Sequence, residues 1–284
     1  MRSLLNSCLL IAAIVAASPA LSEPLDARRA EIQAAFAAAE RGELTLADVA
    51  RLQSHPLSGW LEVLVRERDL ARLDREGLTA VLEALGPQPA ANRLRTAWLR
   101  RAAAENRWQD LLAHYREPAD TPLQCAALQA RAATGSIDTA WTETALALWL
   151  SADSQPAACD PVFATLAQRG ELSAERRWQR LELAARAGNA GVMRTAARGL
   201  PEGEAALARD YAAFIEAPHP RASGWPRDAR SRGIAEAGLV RLARRDAGAA
   251  ERQLEALATL LPKDSREHGA VRAAIALWTA ASYG

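Results

Sequence analysis

Apolar residues recur along most of this chain at helical spacing, and polar residues fill the positions between them. Leu94, Trp98 and Ala102 are spaced four residues apart, which places them on one face of a helix. Trp141 and Ala145 repeat that spacing. Strands typically contain valine, isoleucine, threonine and aromatic residues at alternating positions. The sequence shows no such alternation over the length of a strand. The sequence therefore predicts an all-α protein without a β-sheet.

Glycine, proline and capping residues divide this pattern into separate helices. The residues Thr45-Leu46-Ala47-Asp48 resemble a capping box and start a helix, whereas Gly86-Pro87 is a stop signal. The Pro/Gly-rich segment 217–226 is the one clear interruption. The helix that opens at Pro56 is predicted to present one apolar face, made of Trp60, Leu61, Leu64 and Val65. The predicted helices are 26–41, 45–53, 56–70, 76–85, 90–106, 108–115, two within 123–160 on either side of Gly135, 160–168, 173–187, 190–198, 202–216, 227–245, 246–261 and 264–281.

Tight turns of similar composition join several of these helices in pairs. They occur at residues 104–108, 187–190 and 244–247. Their spacing is irregular, so the chain is not a strict array of identical repeats. This pattern predicts an α-superhelix, or solenoid, of antiparallel helix pairs that forms a curved ribbon or partial ring.

The first 22 residues have the pattern of a secretory signal peptide. Arg2 supplies the positive charge, and residues 8–17 form an apolar run that is too short to span a bilayer. Ser18-Pro19-Ala20 supplies small residues for cleavage, with Ala20-Leu21-Ser22 as a second option. We therefore expect residues 1–22 to be a signal peptide and residues 23–284 to form one exported α-superhelical domain.

The cysteines are consistent with export. Removal of the signal would take Cys8 away and leave Cys125 and Cys159. An even number of cysteines in an oxidising compartment favours a disulfide, which would fold the helices on either side of Gly135 back on each other. Closing a loop of this length contributes roughly 4 kcal/mol in the chain-entropy model. The alternative is two free, buried thiols.

Charge excludes some classes of partner. The chain has 35 basic and 34 acidic residues, for a net charge of +1. Such a balance gives no support for binding to nucleic acid or to an anionic membrane, which requires a net basic face. We expect neither a nucleic-acid partner nor insertion into a membrane.

The sequence contains few candidates for catalytic or ligand-binding residues. The histidines are scattered along the chain, and none has a cysteine or histidine partner at the spacing of metal ligands, so the sequence predicts no metal site. They are His55, His114, His219 and His268. No nucleophile elbow, phosphate-binding loop or dinucleotide fingerprint occurs. Carboxylates are plentiful, but they lie among arginines, as on a solvated helix face. We therefore expect no catalytic, cofactor-binding or metal-binding residue in this chain.

The tryptophans have two possible roles, because an indole either packs in a core or stacks on a sugar ring. Five of the eight tryptophans are in phase with leucines and alanines, which favours core packing; they are Trp60, Trp98, Trp141, Trp149 and Trp178. Trp225, in the Pro-rich loop, is the one whose exposure needs a test.

Four stretches resemble the N-terminal superhelical domain of the soluble lytic murein transglycosylases. They are HPLSGWLEVLVRERDL at 55–70, LQCAALQARAATG at 123–135, ALWLSADSQPAACDPVF at 147–163 and the segment 177–201. The combination of LQC with SQPAACDP at this separation is specific. The resemblance covers most of the predicted mature chain.

The resemblance implies a location, a fold and a partner. In that family the two matching cysteines form a disulfide, here Cys125–Cys159, and the proteins are periplasmic with helices wound into a ring. A linker domain and a lysozyme-like catalytic domain follow. The family cleaves the MurNAc–GlcNAc β-1,4 bond of peptidoglycan and leaves a 1,6-anhydro end. Glycan strands of peptidoglycan are therefore the implied partner.

The sequence departs from the family in its catalytic motifs. The family's catalytic glutamate is followed by serine, and no Glu-Ser dipeptide occurs here; the Gly-Leu-Met-Gln motif is also absent. No residue therefore inherits a catalytic role. We expect a superhelical domain that is incomplete at its C-terminus, without the linker and catalytic domains, and that acts as a scaffold for the glycan strand.

Two other functions remain open at this point. One is a stand-alone periplasmic α-solenoid that binds a protein partner, and the other, ranked last, is a hydrolase that uses some pair of these carboxylates. An incomplete superhelix would also expose apolar side chains at its C-terminal end. We therefore expect self-association there.

Overall fold

Residues 23–282 are described by a computed structural model, and every regular element in that range is a helix. The predicted signal peptide, residues 1–22, lies outside the described residues. No strand occurs between residues 23 and 282, which confirms the predicted all-α class. The chain divides into two compact units, with the boundary at Arg101.

The first unit contains four helices and most of a fifth. They are α1 (Glu23–Glu40), α2 (Leu46–Arg51), α3 (Ser58–Glu67), α4 (Arg75–Leu85) and α5 (Pro89–Ala104), with a 3₁₀ turn at Leu70–Arg72. The predicted capping box is present, because Thr45 Oγ1 accepts from the Asp48 amide while the Asp48 carboxylate accepts from the Thr45 amide. Leu94, Trp98 and Ala102 on α5 are fully buried, as their spacing predicted.

Helix α3 differs from its prediction in two ways. It begins at Ser58, two residues after Pro56, so the proline lies in the turn before the helix. Its buried residues are Gly59, Leu61 and Val63. Of the predicted face only Leu61 is buried, whereas Trp60, Leu64 and Val65 are partly exposed. Because Leu61 and Val63 lie about 200° apart around a helix axis, α3 is covered from more than one side.

The second unit contains the remaining ten helices of the described chain. They are α6 (Trp108–His114), α7 (Thr121–Ala133), α8 (Thr139–Trp149), α9 (Asp160–Gln168), α10 (Ala174–Ala187), α11 (Ala190–Ala197), α12 (Glu202–Glu216), α13 (Ala229–Arg245), α14 (Ala247–Ala256) and α15 (Arg266–Ala281). Short 3₁₀ turns lie at Ala157–Cys159 and Pro220–Gly224. Most predicted boundaries agree within two residues, but α14 ends five residues before the predicted position.

Side-chain caps explain why these helices start where they do. Asp120, Asp138 and Asp228 each accept a hydrogen bond from the backbone amide three residues later. Ser173 and Asn189 do the same for α10 and α11. A carboxylate or hydroxyl in this position satisfies an amide that has no partner within the helix.

Two hydrophobic clusters lie in the interior of the second unit. The smaller one joins α7, α8 and α9 around Cys125, Trp141 and Leu166. The larger one runs from α10 to α15, and its fully buried members include Tyr211 and Phe214. Many helices of this unit pack on the next helix in the chain, as in the pairs α10–α11, α11–α12 and α13–α14, and α13 also packs extensively on α15.

Candidate functional site

A disulfide lies at the centre of the smaller cluster. Cys125 comes from α7 and Cys159 from the 3₁₀ turn before α9, and their Cα atoms are 4.9 Å apart. Both residues are fully buried. The structure thus pairs the two cysteines named from the sequence and ties the start of α9 to α7 across 34 residues of chain.

Two hydrogen bonds fix the helices around this disulfide. The Trp141 indole donates to the Leu128 carbonyl at 2.8 Å, which holds α8 against α7. The Gln129 amide donates to the Ala158 carbonyl at 2.6 Å, beside the disulfide. These bonds and the buried sulfurs indicate a structural role, because a buried disulfide is inert to exchange.

Glu236 on α13 has a raised pKa. Partial burial disfavours its charged form and the nearby charge of Glu267 adds to that effect, whereas Arg266 and Arg186 oppose it. One guanidinium nitrogen of Arg266 lies 3.9 Å from Glu236 and 3.7 Å from Glu267. The arginine thus offsets the repulsion between the two carboxylates.

Three cavities at the surface of the described chain are candidates for ligand binding. One of about 410 Å³ lies near α3, one of about 550 Å³ lies between α14 and α15, and one of about 520 Å³ lies beside α8. Each combines arginine and carboxylate side chains. None of the three is lined by a tryptophan, tyrosine or phenylalanine, so none offers a large flat apolar surface on which a sugar ring would stack.

Trp225 is buried, with 6% of its surface exposed. Its indole donates to Asp210 Oδ2 at 2.7 Å, and its rings meet those of Tyr211 and Phe214 edge-on. His219 packs against the same group, with its ring centroid 5.4 Å from that of Phe214. Ala222 and Trp225 therefore anchor the otherwise largely exposed Pro-rich segment to the core, and Trp225 is not a sugar platform. Sequence reasoning missed this cluster, because loop composition does not show what the loop covers.

The histidines take separate structural positions. His55 Nδ1 accepts from the Leu57 amide at 3.1 Å, His114 is the last residue of α6, and a ring nitrogen of His268 lies 3.2 Å from the Leu261 carbonyl. Among the described residues, no three histidine, cysteine or acidic side chains come together as metal ligands do. None of the described helices is long and apolar enough to cross a membrane.

Comparison with known proteins gives one consistent result. No family model matches the chain. The soluble lytic murein transglycosylase of Salmonella typhimurium is 32% identical over 151 residues, which are 53% of this chain and 23% of that protein. The Escherichia coli K12 protein of the same name is 30% identical over 197 residues, or 68% of this chain and 30% of that protein. The chain therefore spans less than a third of the length of these relatives.

Solved structures agree on the fold. A 70-kDa soluble lytic transglycosylase in complex with bulgecin A superposes with a TM-score of 0.77 at 24% identity, covering 89% of this chain and 42% of that one. A lytic transglycosylase Slt from Pseudomonas aeruginosa gives a TM-score of 0.63 at 29% identity, covering 88% and 41%. The chain is thus homologous to a part of the soluble lytic murein transglycosylases and has their all-α superhelix.

Proposed function

We propose that this chain is the superhelical part of a periplasmic lytic murein transglycosylase and that it binds and positions glycan strands of peptidoglycan without cleaving them. The observation that carries this proposal is the 30% identity to a soluble lytic murein transglycosylase over 197 residues. The shared superhelix, with a TM-score of 0.77, supports it. In the enzymes as a whole, a separate catalytic domain would cleave the MurNAc–GlcNAc bond.

The side chains of the described residues support a non-catalytic role. The carboxyl with the raised pKa, Glu236, faces Arg266. The three cavities described above are lined by no tryptophan, tyrosine or phenylalanine. The sequence also contains no Glu-Ser dipeptide, which is the catalytic signature that the family resemblance implies.

The proposed periplasmic location follows from the N-terminal pattern and the disulfide. Residues 1–22 have the composition of a signal peptide. Disulfides persist in oxidising compartments and are rare where thiols are kept reduced. A buried Cys125–Cys159 bond is compatible with export.

A protein-binding adaptor is the second candidate function. Leu277 on α15 is 62% exposed, next to the partly exposed Trp278. Exposed apolar side chains at a surface of this kind are typical of protein contacts. An adaptor would use such a surface for a partner instead of a glycan.

Incubation of the purified chain with isolated sacculi tests the proposal. We expect the chain to pellet with sacculi in a saturable manner and to release no anhydro-muropeptides. The same chain, reduced and denatured, serves as the control and should stay in the supernatant. Release of anhydro-muropeptides by the chain alone would overturn the non-catalytic role. Absence of saturable binding would favour the adaptor.

A further inference from the structure

Arg180 is a buried cation in the middle of the second unit. It lies on α10 and only 4% of its surface is exposed. Its guanidinium carbon lies 4.8 Å from the ring centroid of Trp149 and 5.7 Å from that of Phe163. The side chain thus joins α10 to the end of α8 and to α9.

Among the described residues, no acceptor serves this guanidinium. Arg180 makes no hydrogen bond or ion pair, and its Nε is fully enclosed without a partner. The two Nη atoms also lack partners, but neither belongs to the fully enclosed, unpartnered atoms. The small exposed part of the residue therefore includes the Nη edge, which solvent reaches.

Other arginines in the same unit show how the fold usually satisfies such a group. Arg177, one turn earlier on α10, donates to the Leu172 carbonyl at 3.1 Å. Arg230 stacks on Trp178, at 4.4 Å, but also pairs with Glu182 at 2.6 Å. Arg180 has the aromatic contact without the carboxylate.

A buried arginine without a carboxylate partner is energetically unfavourable. An arginine stays charged at every physiological pH, so Arg180 does not relieve its burial by losing a proton. Burial of a charge is unfavourable unless an opposite charge or hydrogen bonds compensate it. The faces of Trp149 and Phe163 offset part of this penalty by cation–π attraction. The rings leave the N–H donors of the guanidinium unsatisfied, because these donors need acceptor oxygens in the guanidinium plane and the rings contact its face.

We infer that the Nη1–Nη2 edge of Arg180 is a binding site for the carboxylate group of a ligand, with Trp149 and Phe163 holding the guanidinium in place. A carboxylate is planar and accepts two parallel hydrogen bonds from this edge. A tetrahedral phosphate group matches this planar pair of donors less well than a carboxylate does. The inference does not depend on the proposed function, because it concerns a charge that needs compensation whatever the superhelix binds.

Acetate is the probe for this site. Acetate replaces chloride at constant ionic strength and pH, and the Nε–Hε resonance of Arg180 is followed by NMR. The resonance is expected to shift saturably, and the midpoint of thermal unfolding should rise by roughly 3–5 °C for each tenfold increase in acetate above its dissociation constant. Phosphate at the same ionic strength is expected to give a smaller response.

Three variants separate a ligand site from a merely structural cation. Arg180→Met should abolish the acetate dependence of the thermal midpoint. Arg180→Lys keeps the charge but lacks the planar pair of donors, so it should lose most of that dependence and serves if the methionine variant does not fold. Arg169→Met removes an exposed arginine of the same unit that has no partner among the described residues, and it should respond to acetate like the natural chain.

Two results would overturn the inference. One is an acetate response of the natural chain that Arg180→Met or Arg180→Lys retains in full. The other is a natural chain whose Arg180 resonance and thermal midpoint do not change with acetate, or change more with phosphate. No response would make Arg180 a structural cation held by its two rings, whereas a larger response to phosphate would assign its edge to a tetrahedral anion instead of a carboxylate.

Discussion

Arginine side chains pack over glycines at the ends of two helices in the second unit. The Arg241 guanidinium lies over Gly188 and donates to the Ala187 carbonyl at 3.2 Å. Arg177 lies over Gly199 in the same way and reaches the Ala196 carbonyl at 3.4 Å. A side chain at either glycine would occupy the position of the guanidinium. Absence of a Cβ therefore lets arginines cap carbonyls that the helix leaves free.

Gly188→Ala should destabilise the protein more than Gly135→Ala. Both glycines have a φ of +78°, and a Cβ meets nothing within 4 Å at Gly135 but would lie 1.9 Å from Cζ of Arg241 at Gly188. The left-handed backbone costs about 1–2 kcal/mol in either variant. Gly188→Ala should cost about 0.5–1.5 kcal/mol more, because Arg241 loses its carbonyl contact.

Urea unfolding of the two variants measures this difference. Arg241→Ala in each background is the control, because removal of the guanidinium should make the two glycine substitutions equivalent. Equal destabilisation by Gly188→Ala and Gly135→Ala in the natural background would contradict the prediction.

Asp138 provides a pH-dependent contribution at the start of α8. Its backbone hydrogen bond from Trp141 and the nearby Arg131 lower its carboxyl pKa below the usual value of 3.8. Because the folded pKa lies below the unfolded one, the stabilisation is complete above the unfolded pKa and is lost as pH falls through the folded pKa. Asp138→Asn keeps the cap and removes the titration. The slope of stability against pH below about pH 4 should therefore be shallower in Asp138→Asn.

Urea midpoints from pH 7 to pH 2.5 test this expectation. Asp153→Asn is a suitable control, because Asp153 lies in the exposed loop after α8 and caps no helix. An unchanged acid slope in Asp138→Asn would show that the carboxylate contributes nothing in its charged form.

The helices pack chiefly against their neighbours in the chain, and the disulfide is the covalent link among them. Cys125 and Cys159 bring α9 back to α7 across 34 residues. The hairpin of α7 and α8 is also held by the Trp141 indole on the Leu128 carbonyl. A non-local covalent bond restricts the unfolded chain, whereas the hydrogen bond acts in the folded state.

Replacement of both cysteines by alanine should lower the free energy of unfolding by about 4 kcal/mol, since a loop of this length loses that much closure entropy when it is cross-linked. Urea unfolding of the oxidised natural chain and of Cys125→Ala/Cys159→Ala measures the loss. Reduction of the natural chain should give a similar value, whereas no change on reduction would contradict the prediction.

At the scale of the whole molecule, charged side chains dominate the three surface cavities, whereas most tryptophans lie in the interior. The three cavities described above are lined by arginines, carboxylates and small apolar groups. The tryptophans other than Trp60 that the sequence placed in phase with leucines and alanines are buried. A ligand in one of these cavities would meet mainly polar and charged side chains, and such contacts weaken as salt increases.

Leu277 should promote self-association, as the sequence led us to expect. It is 62% exposed on α15, and apolar surface of this kind is removed from water when two chains meet. Leu277→Glu should reduce the increase of molar mass with concentration, measured by light scattering. Leu46→Glu, at a leucine that is 43% exposed, is the control. A monodisperse monomer in the natural chain would contradict the prediction.

The sequence by itself determined the helices and much of the core. Helical spacing placed Leu94, Trp98 and Ala102 on a buried face, and the capping residue Thr45 marked a true start, because both signals are local and depend on backbone geometry. The motifs at 55–70, 123–135 and 147–163 also indicated the superhelix of the murein transglycosylases. These features required no knowledge of which helices meet.

Tertiary structure alone decided which side chains meet across helices. It placed Trp225 in the core on Asp210, buried Val63 instead of Val65, and left Arg180 enclosed by two rings without a carboxylate. Periodicity describes one helix at a time, whereas the burial of a side chain depends on every neighbour that covers it. The need of a charged group for a partner is likewise a property of the assembled core.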